Sequence, residues 1–520
     1  MHLIKVRLCA AMKPSHPIYK LRLGQILFVK KMNKIQTIFL IVILTITSCS
    51  SPSQLDSTPA SSAPQTGDVI PQLDSTPQPT RPAYSPGQLV DYTAQTGDTL
   101  PALALRFNTS VDEILAANTF IPHDATTMPQ GMPMQIPIYY RALWGTTFQS
   151  IPDHAFVNSP TSSGFNTEAF VQSQNGWWKN YRAYVAGQIR TGAELVDYVA
   201  INYSINPRLL LAILEYQGGA LTQERAPTSR KLLGLERQFW ESHYLQLVLA
   251  ANTLNNGYYG WRNGSLLEFE DASGNLFRPD PWQNAGSAAV QYYFSRMYAG
   301  NEFANAINAN GFFETYANLF GNPWNDSFEL IPGSLTQPEL SLPFPNAQTW
   351  SYTGGPHTGW GTGEPFAALD FAPPAEKSGC VKAKPENYVT AVADGLVVRS
   401  SIDGVVLDLD KDGNERTGWV IYYLHLATER RAVVGLNLNA GDLIGYPSCE
   451  GGSSTGTHVH IARKYNGEWM LADSAIPFVL NGWVAHNGSR AYLGTLTRGN
   501  EVVIACECGD AFTSVNAGFP

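Results

Sequence analysis

The chain has 520 residues, of which 44% are hydrophobic and 15% charged, with a formal net charge of −9. That length points to about two to four domains rather than one core, and the acidic balance excludes nucleic acid as a partner, because phosphate binding needs a basic face. Plentiful aromatics (12 Trp, 24 Tyr and 23 Phe) with so little charge describe folded, polar but uncharged surfaces of the kind found outside the cell.

Residues 1–31 are basic and patternless, with Lys5, Arg7, Lys13, Lys20, Arg22, Lys30 and Lys31. From Met32 the sequence reads as a secretory signal. Lys34 gives a positive start, Ile38-Phe39-Leu40-Ile41-Val42-Ile43-Leu44 an apolar centre, and Ile46-Thr47-Ser48-Cys49 a small-residue cleavage site. The last four residues resemble a bacterial lipobox. The resemblance implies lipidation of Cys49 and a membrane-anchored lipoprotein of the cell envelope, with Met32 as the true start. Residues 1–49 are therefore expected to be an N-terminal extension plus signal peptide. Residues 50–88 are rich in Ser, Thr, Pro and Gln and repeat Gln-Leu-Asp-Ser-Thr-Pro at 54–59 and 72–77. Such a segment cannot bury a core and is expected to be a disordered tether.

Residues 89–139 read as strand, helix, helix, strand. Asp91-Tyr92-Thr93-Ala94 is strand-like, and Gln95-Thr96-Gly97-Asp98-Thr99-Leu100 turns into a helix. Ser110 with Glu113 forms a capping box for the second helix, and Met134-Gln135-Ile136-Pro137 closes the unit. Tyr92, Gly97-Asp98-Thr99-Leu100, Phe107, Ile114-Leu115, Asn118, Gly131 and Ile136-Pro137 together resemble a LysM domain along its whole length. That resemblance implies a small βααβ fold and binding of N-acetylglucosamine-containing glycans such as peptidoglycan.

Residues 140–175 read as an irregular linker and residues 176–330 as a helical domain of uncertain role. Thr191 and Glu194 form another capping box, and Asn206-Pro207 starts the run Leu209-Leu210-Leu211-Ala212-Ile213-Leu214-Glu215, which stops at Gly218-Gly219. The run resembles the catalytic helix of lysozyme-like lytic transglycosylases. Gln217 stands where that family has its glutamate, and glutamine cannot act as a general acid. Glu215, two residues earlier, is the alternative acid for a glycan-cleaving enzyme. Tyr258, Tyr259 and Trp261 are read as core packing, with exposure toward glycan as the lesser alternative.

Beyond Pro323, Pro332 and Pro338 the pattern changes to short alternating strands and Gly-rich turns, an all-β domain over 342–475 with a β extension over 476–520. His458 and His460 in Thr455-Gly456-Thr457-His458-Val459-His460-Ile461 share one strand face, roughly 7 Å apart along the strand. Four further stretches matter. Gly354-Gly355-Pro356-His357 is a turn bearing a histidine. Ala367-Ala368-Leu369-Asp370-Phe371 is an apolar strand with one acid, which is costly unless paired or metal-bound. Val392-Ala393-Asp394-Gly395-Leu396-Val397 reads as a hairpin turn. Trp419-Val420-Ile421-Tyr422-Tyr423-Leu424-His425-Leu426 is a buried strand ending in a histidine.

With the Gly441-Asp442-Leu443-Ile444-Gly445 turn, these motifs resemble, in order, the lysostaphin/LytM-type zinc endopeptidases that cut peptidoglycan cross-links. The resemblance implies one zinc ion per chain, held by His357, Asp370 and His460, with His425 and His458 as unligated catalytic histidines. One departure stands out. In much of the family the first histidine and the aspartate lie close in sequence, whereas here Thr358 to Leu369 intervene. Either this loop is an insertion that leaves both ligands in place, or His357 is not a ligand. A non-catalytic peptidoglycan-binding scaffold, or an activator of other hydrolases, is the alternative function.

Cys380 and Cys449 flank this site, and Cys506 and Cys508 lie near the end. Of the three pairings four cysteines allow, Cys380 with Cys449 is favoured, as a bond that pins two loops of the site; a bond between Cys506 and Cys508 would be strained, and four metal-bound thiols are the lesser alternative. Asp408-Leu409-Asp410-Lys411-Asp412-Gly413-Asn414 resembles the opening of a calcium loop, but Trp419 stands where the bidentate glutamate is expected. The favoured reading is a hairpin tip with solvated acids, and calcium is the lesser alternative. His486 reads as a lone structural histidine.

Overall fold

The computed structural model describes residues 81–518 except Tyr140, Leu143, Arg230, Glu376 and Gly509. The signal segment, Cys49 and all of the tether before Arg81 lie outside the described residues. Strands β1 (Gln88–Thr93) and β2 (Pro133–Ile138) pair antiparallel, with Val90 opposite Ile136. Helices α1 (Leu100–Phe107) and α2 (Val111–Ala117) lie between them in sequence. The capping box holds both ends of its exchange: Ser110 Oγ accepts from Glu113 N at 3.2 Å, and the Glu113 carboxylate accepts from Ser110 N at 3.1 Å. Tyr92, Leu103, Phe107, Ile114 and Ile136 form the unit's core. The unit is docked on the rest of the chain. Thr96 Oγ1 accepts from Ile331 N at 2.7 Å, and Arg106 Nη2 donates to the Trp261 carbonyl at 3.1 Å.

The helical body contains α3 (Asp153–Phe156), α4 (Thr167–Ser173), α5 (Gly192–Tyr203), α6 (Pro207–Gly218), α7 (His243–Asn263), α8 (Ala285–Ser295), α9 (Gly300–Ala306) and α10 (Phe312–Phe320). Hairpins β3 (Arg182–Val185) with β4 (Gln188–Thr191), and β5 (Phe269–Glu270) with β6 (Leu276–Phe277), decorate it. The expected linker over 140–175 needs correction. Ile151, Phe156, Val157 and Val171 are buried in the same core as α5 to α8. Helices α3 and α4 are too short to show a helical period, so the segment looked irregular. Asn206 caps α6 through Arg208 N at 3.0 Å, and Gly219, with φ at 53°, ends it. The Glu215 carboxylate is occupied by Leu221 N, Thr222 N and Thr222 Oγ1, and so braces the turn after the helix. Gln217 bonds the Leu233 carbonyl and Tyr293 Oη. Tyr258, Tyr259 and Trp261 are at most 1% exposed, which removes the alternative of exposed glycan-contacting rings.

The β-rich C-terminal region is built on a sheet of β7 (Thr349–Thr358), β8 (Phe366–Ala372), β10 (Gly395–Ser401), β11 (Gly404–Asp408), β12 (Trp419–Leu424), β13 (Asn437–Leu438), β15 (Val459–Tyr465) and β21 (Ser514–Asn516), in the order β13-β10-β11-β12-β15-β8-β7-β21. A short β16 (Glu468–Trp469) pairs with β15, while β9 (Val389–Thr390) pairs with β14 (Leu443–Gly445). The turn at 392–394 is therefore not a hairpin, because it passes the chain from β9 into the larger sheet. Strands β17 (Val479–Leu480), β18 (Trp483–Asn487), β19 (Gly494–Arg498) and β20 (Glu501–Ile504) make a second sheet. His486 sits in it, its Nε2 bonded to Thr497 Oγ1 at 2.8 Å.

Alternation divides the central strands into two faces. Leu369, Phe371, Ile421, Tyr423, Val459 and Ile461 fill one core. On the other face Ala368, Tyr422, Leu424 and Ala462 enter the core of the helical body. Polar bonds fasten that seam: Arg262 to Glu468 at 2.9 Å, Trp469 N to Tyr259 Oη at 3.0 Å, and Arg399 Nη1 to Asn202 Oδ1 at 3.1 Å. Among the described residues no helix is long and apolar enough to cross a membrane.

Candidate metal centre

The sheet register brings the site together. His460 on β15 stands opposite Asp370 on β8, and Asp370 stands opposite Gly354 on β7. A side chain at position 354 would collide with the carboxylate, since a Cβ there would lie 2.5 Å from Asp370 Oδ2. Bulges between Gly354 and Thr358 re-aim the end of β7. His357 consequently lies on a strand, not in a turn as its Gly-Gly-Pro context suggested, and its Nε2 is 3.3 Å from Asp370 Oδ1. The intervening segment is the β7–β8 connection, so the longer spacing leaves histidine and aspartate side by side.

His357 Nε2, His460 Nδ1 and Asp370 Oδ1 lie 3.0 to 3.3 Å from one another. The far nitrogen of each ring faces a carbonyl: His357 Nδ1 to Gly355 O at 2.8 Å and His460 Nε2 to Gly359 O at 3.1 Å. Those carbonyls can only accept, so each far nitrogen carries the proton and each inner nitrogen presents a lone pair. Two lone pairs and a carboxylate oxygen thus point at one another. Asp370 Oδ1 is buried without a hydrogen-bond donor. A divalent cation between the three relieves that contact, and about 3.3 Å is the ligand–ligand spacing expected when each donor lies about 2.0–2.1 Å from a tetrahedral ion. The residues therefore fit a divalent metal with an open fourth position. Burial pushes His460 below its usual range, which keeps its nitrogen free for a metal.

The remaining two histidines line the same place. His458 Nδ1 faces the Gly456 carbonyl at 2.8 Å, and its Nε2 lies 3.6 Å from Asp370 Oδ1. His425 follows the end of β12 in a left-handed conformation, φ 60°, a strain of about 1–2 kcal/mol for a side-chain-bearing residue. Ser448 N and Oγ both donate to its carbonyl, fixing that geometry. Its ring donates through Nδ1 to Glu450 O at 3.0 Å and lies 4.6 Å from the His458 ring. Burial, then His458 and His460, push its pKa down to about 3. It is therefore neutral at ordinary pH. Cys380 is bonded to Cys449, and Thr457 Oγ1 accepts from Val381 N at 2.9 Å, so the loop leading to His458 is tied to the segment around residue 380. Cys506 is bonded to Cys508, which leaves no free thiol for a cysteine metal site among these four.

Sequence reasoning missed Tyr492. It comes from the C-terminal extension, where no local pattern marks it. An antiparallel bridge to Gly355 brings it in, and its ring stacks on His357 with centroids 4.1 Å apart. Groups that orient a metal-binding imidazole are worth about 10- to 100-fold in metal affinity. Tyr492→Ala is expected to weaken metal retention by about tenfold in a chelator competition, and Tyr492→Phe, which keeps the stack, to leave it unchanged. Equal losses in both would assign the effect to the hydroxyl instead.

Comparison with known proteins finds relatives for several parts of the chain. A family model described as "LysM domain" matches residues 92–125, and one described as "LasA, N-terminal domain" matches residues 149–334. Protease LasA of Pseudomonas aeruginosa is 26% identical over 350 residues, covering 62% of this chain and 75% of that protein. Beta-lytic metalloendopeptidase of Lysobacter enzymogenes is 32% identical over 138 residues, covering 25% of this chain and 71% of that protein. Among solved structures, "A Novel M23 Metalloprotease Pseudoalterin from Deep-sea" aligns over 33% of this chain and 96% of its own, at 23% identity and a TM-score of 0.28. The chain is a metalloendopeptidase, and it belongs to the lysostaphin/LytM-type family that includes the beta-lytic enzyme, with a LysM domain ahead of the catalytic region.

Proposed function

We propose that the chain is a zinc-dependent endopeptidase of peptidoglycan, cutting peptide bonds of stem or cross-link peptides. It is exported, tethered to the envelope through Cys49, and brought to its substrate by glycan binding in the LysM domain. The observation that carries the chemistry is the convergence of two imidazole lone pairs and the donorless Asp370 Oδ1 on one point. Zinc favours this N/O donor set, and when bound it polarises a scissile carbonyl and lowers the pKa of an attacking water. His357, Asp370 and His460 hold the ion. His425 and His458 divide the proton work: one takes the proton of the water, the other stabilises the developing oxyanion or protonates the leaving amine. Glu215 is a poor rival for catalysis, because its oxygens are already occupied by the turn at 221–222. A non-catalytic scaffold would have no need for all five polar groups in one cluster.

Zinc content and release of new amino groups from purified peptidoglycan provide the test, comparing the unmodified protein with His460→Ala. One zinc per chain with amine release, both lost in the variant, is the expected result. A protein that takes up no zinc overturns the zinc-dependent reading.

A further inference from the structure

The acidic run after β11 behaves differently from a solvated hairpin tip. Asp410 and Asp412 are exposed, as expected of such a tip, but Asp408 is 0% exposed. One of its oxygens, Oδ2, accepts from Gly413 N at 2.9 Å, while Oδ1 is buried with no hydrogen-bond donor among the described residues, and burial together with the neighbouring Asp410 carboxylate pushes the group up to about 6. A buried carboxylate oxygen without a donor is costly. Here it is joined by two more carboxylates, since one ligand atom from each of Asp408, Asp410 and Asp412 lies within 4.8 Å of the others. Among the described residues no lysine or arginine forms an ion pair with any of the three. Among the described residues, three carboxylates and one donorless buried oxygen share a small volume with no paired lysine or arginine.

The loop's backbone fits a hard cation. Gly413 follows the third aspartate with φ at 86°, the left-handed turn that a wrapped oxygen-ligand loop requires at that place. Asp412 N and Asn414 N donate to Asp410 Oδ1 and Asp412 Oδ1 at 3.3 and 2.8 Å, so the exposed acids are already curled inward. Gly418 is equally constrained, because a Cβ there would lie 2.2 Å from Asp410 Oδ2.

We propose that Asp408, Asp410 and Asp412 form a second metal site, selective for calcium, in the β11–β12 connection. Oxygen-only donors suit calcium and do not suit zinc, which prefers the nitrogen-bearing centre. The missing glutamate at Trp419 leaves positions for water and makes the site weak, on the order of 0.1 mM, as in extracellular calcium modules. The same loop touches the helical body through Arg416 Nε to Asn158 Oδ1 at 3.0 Å and Asn414 Nδ2 to Ser163 Oγ at 3.3 Å. Calcium therefore also stiffens one end of the seam.

The test is calorimetric titration of Ca²⁺ into the full-length protein with its zinc centre filled, alongside Asp410→Asn, Asp412→Asn and the double variant. These two acids are exposed, so the variants fold; Asp408→Asn is added where it folds. The expected result is one Ca²⁺ per chain, at least tenfold weaker binding in each single variant, and a thermal midpoint that rises with Ca²⁺ most in the unmodified protein, less in the single variants and least in the double variant. Absence of binding at 10 mM Ca²⁺, or a titration that is the same in the double variant, overturns the site.

Discussion

Asp370→Asn is expected to empty the metal centre. The substitution keeps the shape of the side chain, so β8 and its pairing with β15 should survive. The change lies in charge and hydrogen bonding. The carboxylate now supplies the only negative charge between two imidazoles that present lone pairs. An amide is a far weaker metal donor, and an amide NH₂ turned toward His357 and His460 would bond those lone pairs directly. Metal content should fall from one per chain to near zero, and kcat/KM by about 1,000-fold or more, roughly 4 kcal/mol of transition-state stabilisation. His458→Ala should behave differently, with metal retained and kcat reduced by about 100- to 10,000-fold. Elemental analysis beside amine-release kinetics reads both quantities on the same samples. Full metal in Asp370→Asn, or none in His458→Ala, would reverse the division of labour. Acid gives a third reading. A metal-binding histidine must be neutral, and burial already holds His460 below its usual range. Protons therefore compete for it only below the ordinary histidine pKa of about 6.5, and metal should be retained at pH 6.

Much of this centre is legible in the sequence because strand alternation is rigid. His458 and His460 are two residues apart, and a lone aspartate in Ala367-Ala368-Leu369-Asp370-Phe371 can be tolerated only with a partner. What is not legible depends on chain segments meeting across long distances. The β7–β8 connection obscured whether His357 could reach Asp370; register and bulges decide that, and neither has a local signature. Tyr492 arrives by one backbone bridge from a segment with no motif. The short helices at 153–156 and 167–173 are too brief for periodicity, so their membership in the helical core shows only once α5 to α8 are packed around them. Asp408 reads like its two neighbours in sequence, and its burial follows from being the last residue of β11 rather than the first of a tip.

Separating the helical body from the catalytic sheet is expected to raise peptidase activity. His357, Asp370 and His460 are only 2%, 6% and 5% exposed. The strip of sheet that continues from them, Ala368, Ala462, Tyr422 and Leu424, lies in the core shared with the helices. A peptide substrate needs several residues of groove on that face, and the face is occupied. The β7–β8 connection closes the remaining side. Gly359 O engages His460, Thr362 N donates to Asn252 Oδ1 at 2.8 Å, and Glu364 N donates to Asn256 Oδ1 at 2.8 Å, so α7 clamps the loop over the centre. In this arrangement activity is proportional to the fraction of chains with the seam open. A seam open in about 1% of chains predicts about a 100-fold gain on separation, and one open in about 10% predicts about tenfold. The measurement is hydrolysis of a soluble cross-linked muropeptide before and after cleavage at a protease site inserted between Gly321 and Gln348, with gel filtration to show that the halves have parted. Glu468→Ala offers an independent route. It removes the bidentate partner of buried Arg262, leaving Asp153 at 3.2 Å as its remaining carboxylate, which weakens the seam, and it touches no residue of the metal centre. If both manipulations open the seam and turnover stays at the level of the intact chain, the substrate reaches the metal by a path that does not cross the covered face, and the helices serve only to complete the core.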